Sequence, residues 1–534
     1  MNVSQVSVLH EYLERNADRC PDKTALVIKD QRLTWGDVDR QSTQLANRLR
    51  SLGVSRGDRV LLYLDNSAEL AVGLWGVLKA DCVFCIVNPQ TKADKLQYIL
   101  NDCRSTVMIA HNATGRTWKE VLPETPHLKS TLVVGAKEES LDAAGDVSLL
   151  PFSIIDNDST VAQPTRNIPL DLCSIIYTSG TTGDPKGVML THLNMVFAAE
   201  SITTYLENEH DDIVVNVLPM SFDYGLYQWL MVTQFGGTLI LESSFNYPSK
   251  VLNLIESEKV TGLPVVPTIA SLLVQFAEKG LSLPGIKYVT NTAAALAPSH
   301  IATIKQVCPN ARIYSMYGLT ECKRVAYLPP SEIDRKPDSV GRPMPNMEVF
   351  VLDPDTGEEM EPGEVGELVV RGPHVMKGYW EKPEITDRWL KPGKIPSEMW
   401  LWTGDLFRRD EEGYLYFVSR KDDIIKSRGE KVSPKEVENV LYSLDGVQDA
   451  AVVGEEDPVL GQAIHAYIVL SDDAEYTSGE VIRFCAKNLE PFMVPKYVTF
   501  LSEMQKTTSN KITKKNLASF AREKYLAGDP VLAN

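Results

Sequence analysis

The sequence predicts an α/β protein: a large layered α/β domain over residues 1–420, β-rich from about residue 340, followed by a small α+β domain over 421–534 on a polar hinge. Three observations predict it. Strand-like apolar runs alternate with amphipathic helical runs through the first part of the chain, the pattern of sheets layered with helices. Short strands separated by Gly-rich turns then take over, and a charged connector, "KDDIIKSRGEK", leads into a last group of strands and helices.

The first strand candidate, "ALVI", precedes the helical "TWGDVDRQSTQLANRLRSLG"; "RVLLYL" precedes "SAELAVGLWGVLKA"; and "STVMIA" follows. The alternation continues through "IVVNVLP", the apolar helix candidate "YQWLMVTQFGG", the strand "TLILE", the helix "PSKVLNLIESEKV" and the strand "IKYVTNT". No fixed-period repeat emerges, which argues against a solenoid. From about residue 340 come "MEVFVLDPDTGEEMEPGEVGELVVRG" and "GYLYFVSR", then a helix capped by Ser433, a strand, and the helical "GEVIRFCAKNLE".

At 534 residues the chain exceeds what one hydrophobic core holds. Its 43% hydrophobic and 23% charged residues are those of an ordinary globular protein. The formal charge of −17 repels nucleic acid and anionic membranes, so an anionic ligand needs a local site. No apolar run reaches bilayer-spanning length, and the N-terminus lacks the basic-then-apolar order of a secretory signal, so a cytoplasmic location is expected. Cys82 and Cys85 have a metal-like spacing but no second pair, and read as buried thiols; the eight histidines form no metal motif, and His192 is expected to support a helix start.

Residues 177–188, "YTSGTTGDPKGV", place three glycines, four Ser/Thr hydroxyls and one lysine behind the strand-like "LDLCSIIY". Glycines let backbone N–H groups approach phosphate oxygens, hydroxyls add donors, and Lys186 adds charge, so the loop suits a polyphosphate such as ATP. It is neither the G-x-x-x-x-G-K-[ST] loop nor the dinucleotide G-x-G-x-x-G.

The loop resembles the signature of the adenylate-forming ligases, the superfamily of acyl-CoA synthetases, firefly luciferase and nonribosomal-peptide adenylation domains. Further motifs follow in the family's order: "YGLTE" at 317–321, "TGD" at 403–405, "SRKDDIIKSRGEKVSPKEVE" at 419–438 and "TTSNKI" at 507–512. The resemblance implies two steps at one site. A carboxylate attacks the α-phosphate of ATP, giving acyl-adenylate and pyrophosphate with Mg2+ assisting, and a thiol then takes the acyl group.

The resemblance implies roles residue by residue. Thr178, Ser179, Gly180, Thr181, Thr182, Gly183 and Lys186 would lie along the phosphates, Thr320 would contact the α-phosphate, and Glu321 would position Mg2+. Tyr317 and Gly318 would line the adenine side, and Asp405 would take the ribose hydroxyls with Arg420 nearby. Lys511 would reach the carboxylate and α-phosphate during adenylation only. Asn510 stands where the family usually has glycine, and Asn tolerates the left-handed backbone better than most residues. Asp422 matches the hinge about which the small domain would turn, presenting Lys511 first and the face around Gly429 second.

By the same alignment, Asp223, Tyr224, Tyr227, Pro264, Thr290, Thr292, Met316, Arg324 and Val325 would surround the acid. Asp223 aligns with the aspartate that binds the α-ammonium in amino-acid adenylation domains; capping a helix that starts near Tyr224 is its alternative role. "SFDYGLYQ" resembles free-standing prolyl-adenylating enzymes, so the expected substrate is an amino acid, L-proline first, loaded on the phosphopantetheine thiol of a separate carrier protein. A fatty- or aryl-acid CoA synthetase, with CoA as acceptor, is the second reading. A nucleotide-binding scaffold without turnover is the third.

Overall fold

The computed structural model describes the chain apart from residues 1–5, 138–140, 142–144, 179–183, 293–297, 428–429, 458–459, 472, 507–511, 515–516 and 527–534. It has the expected mixed α/β architecture, a large N-terminal α/β domain and a small C-terminal one. Two large sheets organise the N-terminal part. The nine-stranded sheet runs, edge to edge, Arg342–Pro343, Ala326–Leu328, Arg312–Tyr317, Tyr288–Asn291, Gly262–Val265, Ile213–Asn216, Thr238–Leu241, Thr24–Ile28 and Gln31–Thr34. The eight-stranded sheet runs Gly378–Tyr379, Lys186–Thr191, Leu172–Thr178, Val83–Ile86, Arg59–Tyr63, Ser105–His111, Ser130–Val134 and Ser148–Pro151. Both are parallel at their centres and antiparallel toward one edge or both.

The helices Ala68–Lys79 and Asp223–Phe235 are apolar nearly all round, as helices enclosed by other elements must be. They meet through Trp229, which stacks on Trp35 at 5.6 Å, packs edge-on to Trp75 at 6.2 Å, and donates from Nε1 to the Ala71 carbonyl at 3.1 Å. One continuous core joins side chains of both sheets around them. Cys82 and Cys85 are buried in it or beside it, as expected.

The chain's start and stop chemistry is local and legible. Thr34 and Thr191 close capping boxes with Asp37 and Asn194, so Thr191 caps the helix that His192 begins; His192 is buried, its Nδ1 accepting from the Leu9 N–H at 3.1 Å. Two expected details differ. Ser433 precedes helix Pro434–Tyr442 without capping it, because its hydroxyl donates instead to the Val418 carbonyl at 2.6 Å. The apolar helix expected from Tyr227 starts a turn earlier, at Asp223, with Phe222 before it.

The Gly-rich region forms a five-stranded sheet of Glu348–Leu352, Val365–Arg371, Met399–Arg409 and Leu390–Pro392, with Leu415–Arg420 paired to Met399–Arg409. The C-terminal sheet orders Glu430–Val432, Ile425–Ser427, Gly461–Leu470 and Val447–Asp457, with Tyr497–Phe500 parallel to Gly461–Leu470 and its own apolar core.

Candidate active site

The expected phosphate loop is a hairpin connection. Strands Leu172–Thr178 and Lys186–Thr191 pair antiparallel with Thr178 opposite Lys186, so both flanks of the loop are held in register. Ser179, Gly180, Thr181, Thr182 and Gly183 lie outside the described residues. Below the loop, Tyr177 Oη donates to Asp102 at 2.5 Å, Trp380 Nε1 donates to the Asp102 carbonyl at 2.9 Å, and Tyr98 Oη donates to the Pro185 carbonyl at 3.3 Å. These bonds tie both ends of the hairpin to the helix Ala93–Asp102.

Lys186 is placed by aromatic rings. Its ammonium lies 5.0 Å from the Tyr379 ring centre and 5.6 Å from that of Trp389, within the range of cation–π attraction. Tyr379 in turn donates from Oη to Glu321 Oε1 at 2.8 Å, and the Glu321 carbonyl accepts from the Met376 N–H at 2.8 Å. Tyr379 pairs with Val188, which puts its ring beside Lys186, so one side chain couples the lysine and the carboxylate. Thr320 is half-buried in the turn just before Glu321.

Strand Arg312–Tyr317 ends at this turn. A Cβ on Gly318 would stand 2.0 Å from the Lys323 carbonyl oxygen, so only glycine lets the chain double back there. That return brings Lys323 and Arg324 against the strand, and the Val325 N–H donates to the Tyr317 carbonyl at 2.9 Å.

Asp405 and Arg420 face each other across an antiparallel pair, Nε to Oδ1 3.3 Å. Tyr317 Oη donates to Asp405 Oδ2 at 2.5 Å. Asp405 is 3% exposed, and among the described residues its Oδ1, the atom facing Arg420, accepts no hydrogen bond. Burial pushes its carboxyl above the usual carboxylate range, with Arg420 and the Tyr317 hydroxyl opposing. A carboxyl protonated more easily in the folded chain opposes folding above its folded pKa, and that cost disappears as the pH falls below the unfolded value. Asp405→Asn is therefore expected to raise the melting temperature of the ligand-free protein at neutral pH, with the gain shrinking on acidification, while ATP binding weakens about tenfold. Calorimetry across pH and an ATP titration check this; a gain that grows toward acid pH would contradict it.

The residues expected around the acid are brought together. Tyr224 Oη bonds the Thr290 hydroxyl at 2.7 Å and its carbonyl at 2.8 Å, and Thr290 pairs with Pro264 in the sheet. Arg324 donates from Nη1 to Thr292 Oγ1 at 3.0 Å, and its guanidinium lies 5.3 Å from the Tyr224 ring centre. Tyr205 Oη contacts Met316 Sδ at 3.0 Å. Val325 is fully buried.

Asp223 is neither a helix cap nor an open carboxylate. It sits in the first turn of its helix, where the dipole favours negative charge, and accepts from Lys323 Nζ at 2.7 Å. The Lys323 side chain is 1% exposed and that of Asp223 10%. The lysine also stands 5.8 Å from the Tyr227 ring centre. Gly225 in this helix, whose Cβ would meet the Pro219 carbonyl at 2.3 Å, lets the helix pack against the backbone that leads into it.

Sequence reasoning missed Lys323, Tyr379, Trp389 and Asp102. Lys323 was adjacent to a quoted motif, but nothing in its spacing marks it as inward-facing. Lys511, Asn510 and Gly429 lie outside the described residues; Asp422 falls in the short helical turn Lys421–Asp423 after Arg420. Among the described residues no group of three or more His, Cys, Asp or Glu could hold a metal ion, and no helix is long and apolar enough to cross a membrane.

Comparison with known proteins covers the whole arrangement. A family model described as AMP-binding enzyme matches residues 13–380, and one described as AMP-binding enzyme C-terminal domain matches 436–511. A long-chain-fatty-acid–CoA ligase of Bacillus subtilis is 31% identical over 97% of this chain and 95% of that protein. A feruloyl-CoA synthase of an Amycolatopsis species is 31% identical over 94% of this chain and 96% of that protein. Among solved structures, the anthranilate CoA ligase AuaEII in complex with anthranoyl-AMP superposes with a TM-score of 0.87 at 26% identity, over 98% of each chain. ATP-bound MatB from Rhodopseudomonas palustris gives 0.84 at 26% identity, over 97% of this chain and 99% of that one.

Proposed function

From the premise that the chain belongs to the AMP-binding enzyme family and is an AMP-forming acid–thiol ligase using ATP and Mg2+, we propose that its acid carries no amine and that free CoA is the acceptor thiol. The single observation that carries the first half is the buried Asp223–Lys323 pair. A substrate ammonium would have to displace Lys323, leaving a buried lysine without its carboxylate, a cost of several kcal/mol, on the order of 3–5. That replaces the expectation of L-proline on Asp223. Support for CoA comes from the relatives, which are named as a long-chain-fatty-acid–CoA ligase and a feruloyl-CoA synthase.

In this reading the acid's carboxylate oxygen attacks the α-phosphorus, pyrophosphate leaves, and the CoA sulfur then attacks the acyl carbon as AMP leaves. Asp405 accepts from the ribose hydroxyls, with Arg420 favouring its ionised form against the effect of burial. Tyr317 and Gly318 flank the adenine. Thr178, Ser179, Gly180, Thr181, Thr182, Gly183 and Lys186 line the phosphates, and Thr320 donates to the α-phosphate. Glu321 would hold Mg2+, which neutralises phosphate charge when bound; a single carboxylate suits an ion that takes its remaining ligands from phosphates and water. Lys511 brings positive charge to the α-phosphate, and Asp422 is the pivot for its withdrawal.

The test of the acceptor is direct. Incubation with ATP, an exchange-competent acid and CoA should yield the acyl-CoA mass, with AMP released in equal amount. Acylation of phosphopantetheinylated carrier proteins, with CoA left unacylated, would overturn the CoA reading.

A further inference from the structure

Lys323 and Arg324 are consecutive buried cations, and the buried carboxylate of Asp223 is taken by Lys323. Arg324 is 3% exposed yet has no carboxylate partner among the described residues, and residues 293–297, which follow its partner Thr292, contain no acid. Its neighbours are the Thr292 hydroxyl, the Tyr224 ring and the Tyr205 hydroxyl, all neutral. Guanidinium N–H groups can only donate, and Arg324 Nε has no acceptor among the described residues. The Tyr227 hydroxyl, buried nearby, is also without a hydrogen-bond partner among the described residues.

A guanidinium is never relieved of its charge by losing a proton, so a buried one without a counter-ion is costly. What is missing is an acceptor with negative charge, held among residues that surround the acid. From this we infer that the substrate carries a second, distal carboxylate that pairs with Arg324: the enzyme activates one end of a dicarboxylic acid. The inference rests on the amine-free reading of the same pocket and narrows it. Arg324 is then the residue that separates diacids from monoacids. A planar carboxylate suits it, since the guanidinium offers parallel donors that a lysine does not.

Acid-dependent ATP–pyrophosphate exchange tests it, using the full chain with straight-chain monocarboxylic and α,ω-dicarboxylic acids matched in carbon number, and the amino acids alongside. The wild-type protein should prefer a diacid over its matched monoacid by on the order of 100-fold in kcat/KM. Arg324→Leu should collapse that ratio to about one, and Arg324→Lys should keep part of it. ATP titration of each variant reports whether the fold survives. A wild-type preference for monoacids, or no diacid exchange, overturns the inference without any variant and leaves the amine-free reading standing. Equal loss with both acids in a folded Arg324→Leu overturns it as well. Exchange with amino acids alone overturns the amine-free reading itself.

Discussion

Lys323→Met is expected to cost about 3–5 kcal/mol of folding stability, because it strands the Asp223 carboxylate in a site with little access to water. The wild-type pair earns little net stability, since desolvation of both ions offsets their attraction; it is the broken pair that is expensive. A further result follows from that asymmetry. The double variant Lys323→Met/Asp223→Leu should recover most of the loss. Denaturant titration measures all three proteins. A double variant no more stable than the single one would mean that Lys323 acts through packing, including its approach to the Tyr227 ring, and not through Asp223.

Lys511→Ala should separate the two half-reactions. On its proposed role, it should lower acid-dependent pyrophosphate exchange by on the order of 100- to 1,000-fold, the scale of removing one group that stabilises developing charge. Thioester formation from a supplied acyl-adenylate should change by less than about threefold, because adenylation alone builds charge at the α-phosphate in its vicinity. The described residues flanking this segment, Lys506 and Ile512, pair with each other, and the nearby core is made by Leu501, Met504 and Leu517. Equal loss of both half-reactions would contradict a lysine that serves one step and withdraws for the other.

The layering of strands and helices was legible because its signals are local. The runs "RVLLYL" and "TLILE" carry strand periodicity and composition by themselves, whereas the helix caps Thr34 and Thr191, whose partners lie three residues on, were passed over. The nucleotide motifs were legible as motifs. The side-chain partners were not. Asp223 meets a lysine 100 residues away, and whether Lys323 or Arg324 turned inward depended on the tight return at Gly318, which the string "YGLTECKRV" does not reveal. Tyr379 reaches Lys186 only through the short pairing of Gly378–Tyr379 with the loop strand. The cap role expected for Asp223 failed for the same reason: an aspartate at the start of a helix is read from sequence as a cap or a ligand, and its partner in the structure arrives from another strand's end.

Substrate-dependent ATP–pyrophosphate exchange over a panel of amino acids and amine-free carboxylic acids addresses the central claim most directly, because it reads the adenylation step before any thiol is needed. The Lys323–Asp223 pair predicts exchange with amine-free acids and none above background with any amino acid, proline included. Exchange with an amino acid, abolished in Asp223→Ala, would show that the carboxylate leaves Lys323 for a substrate ammonium and would contradict the account.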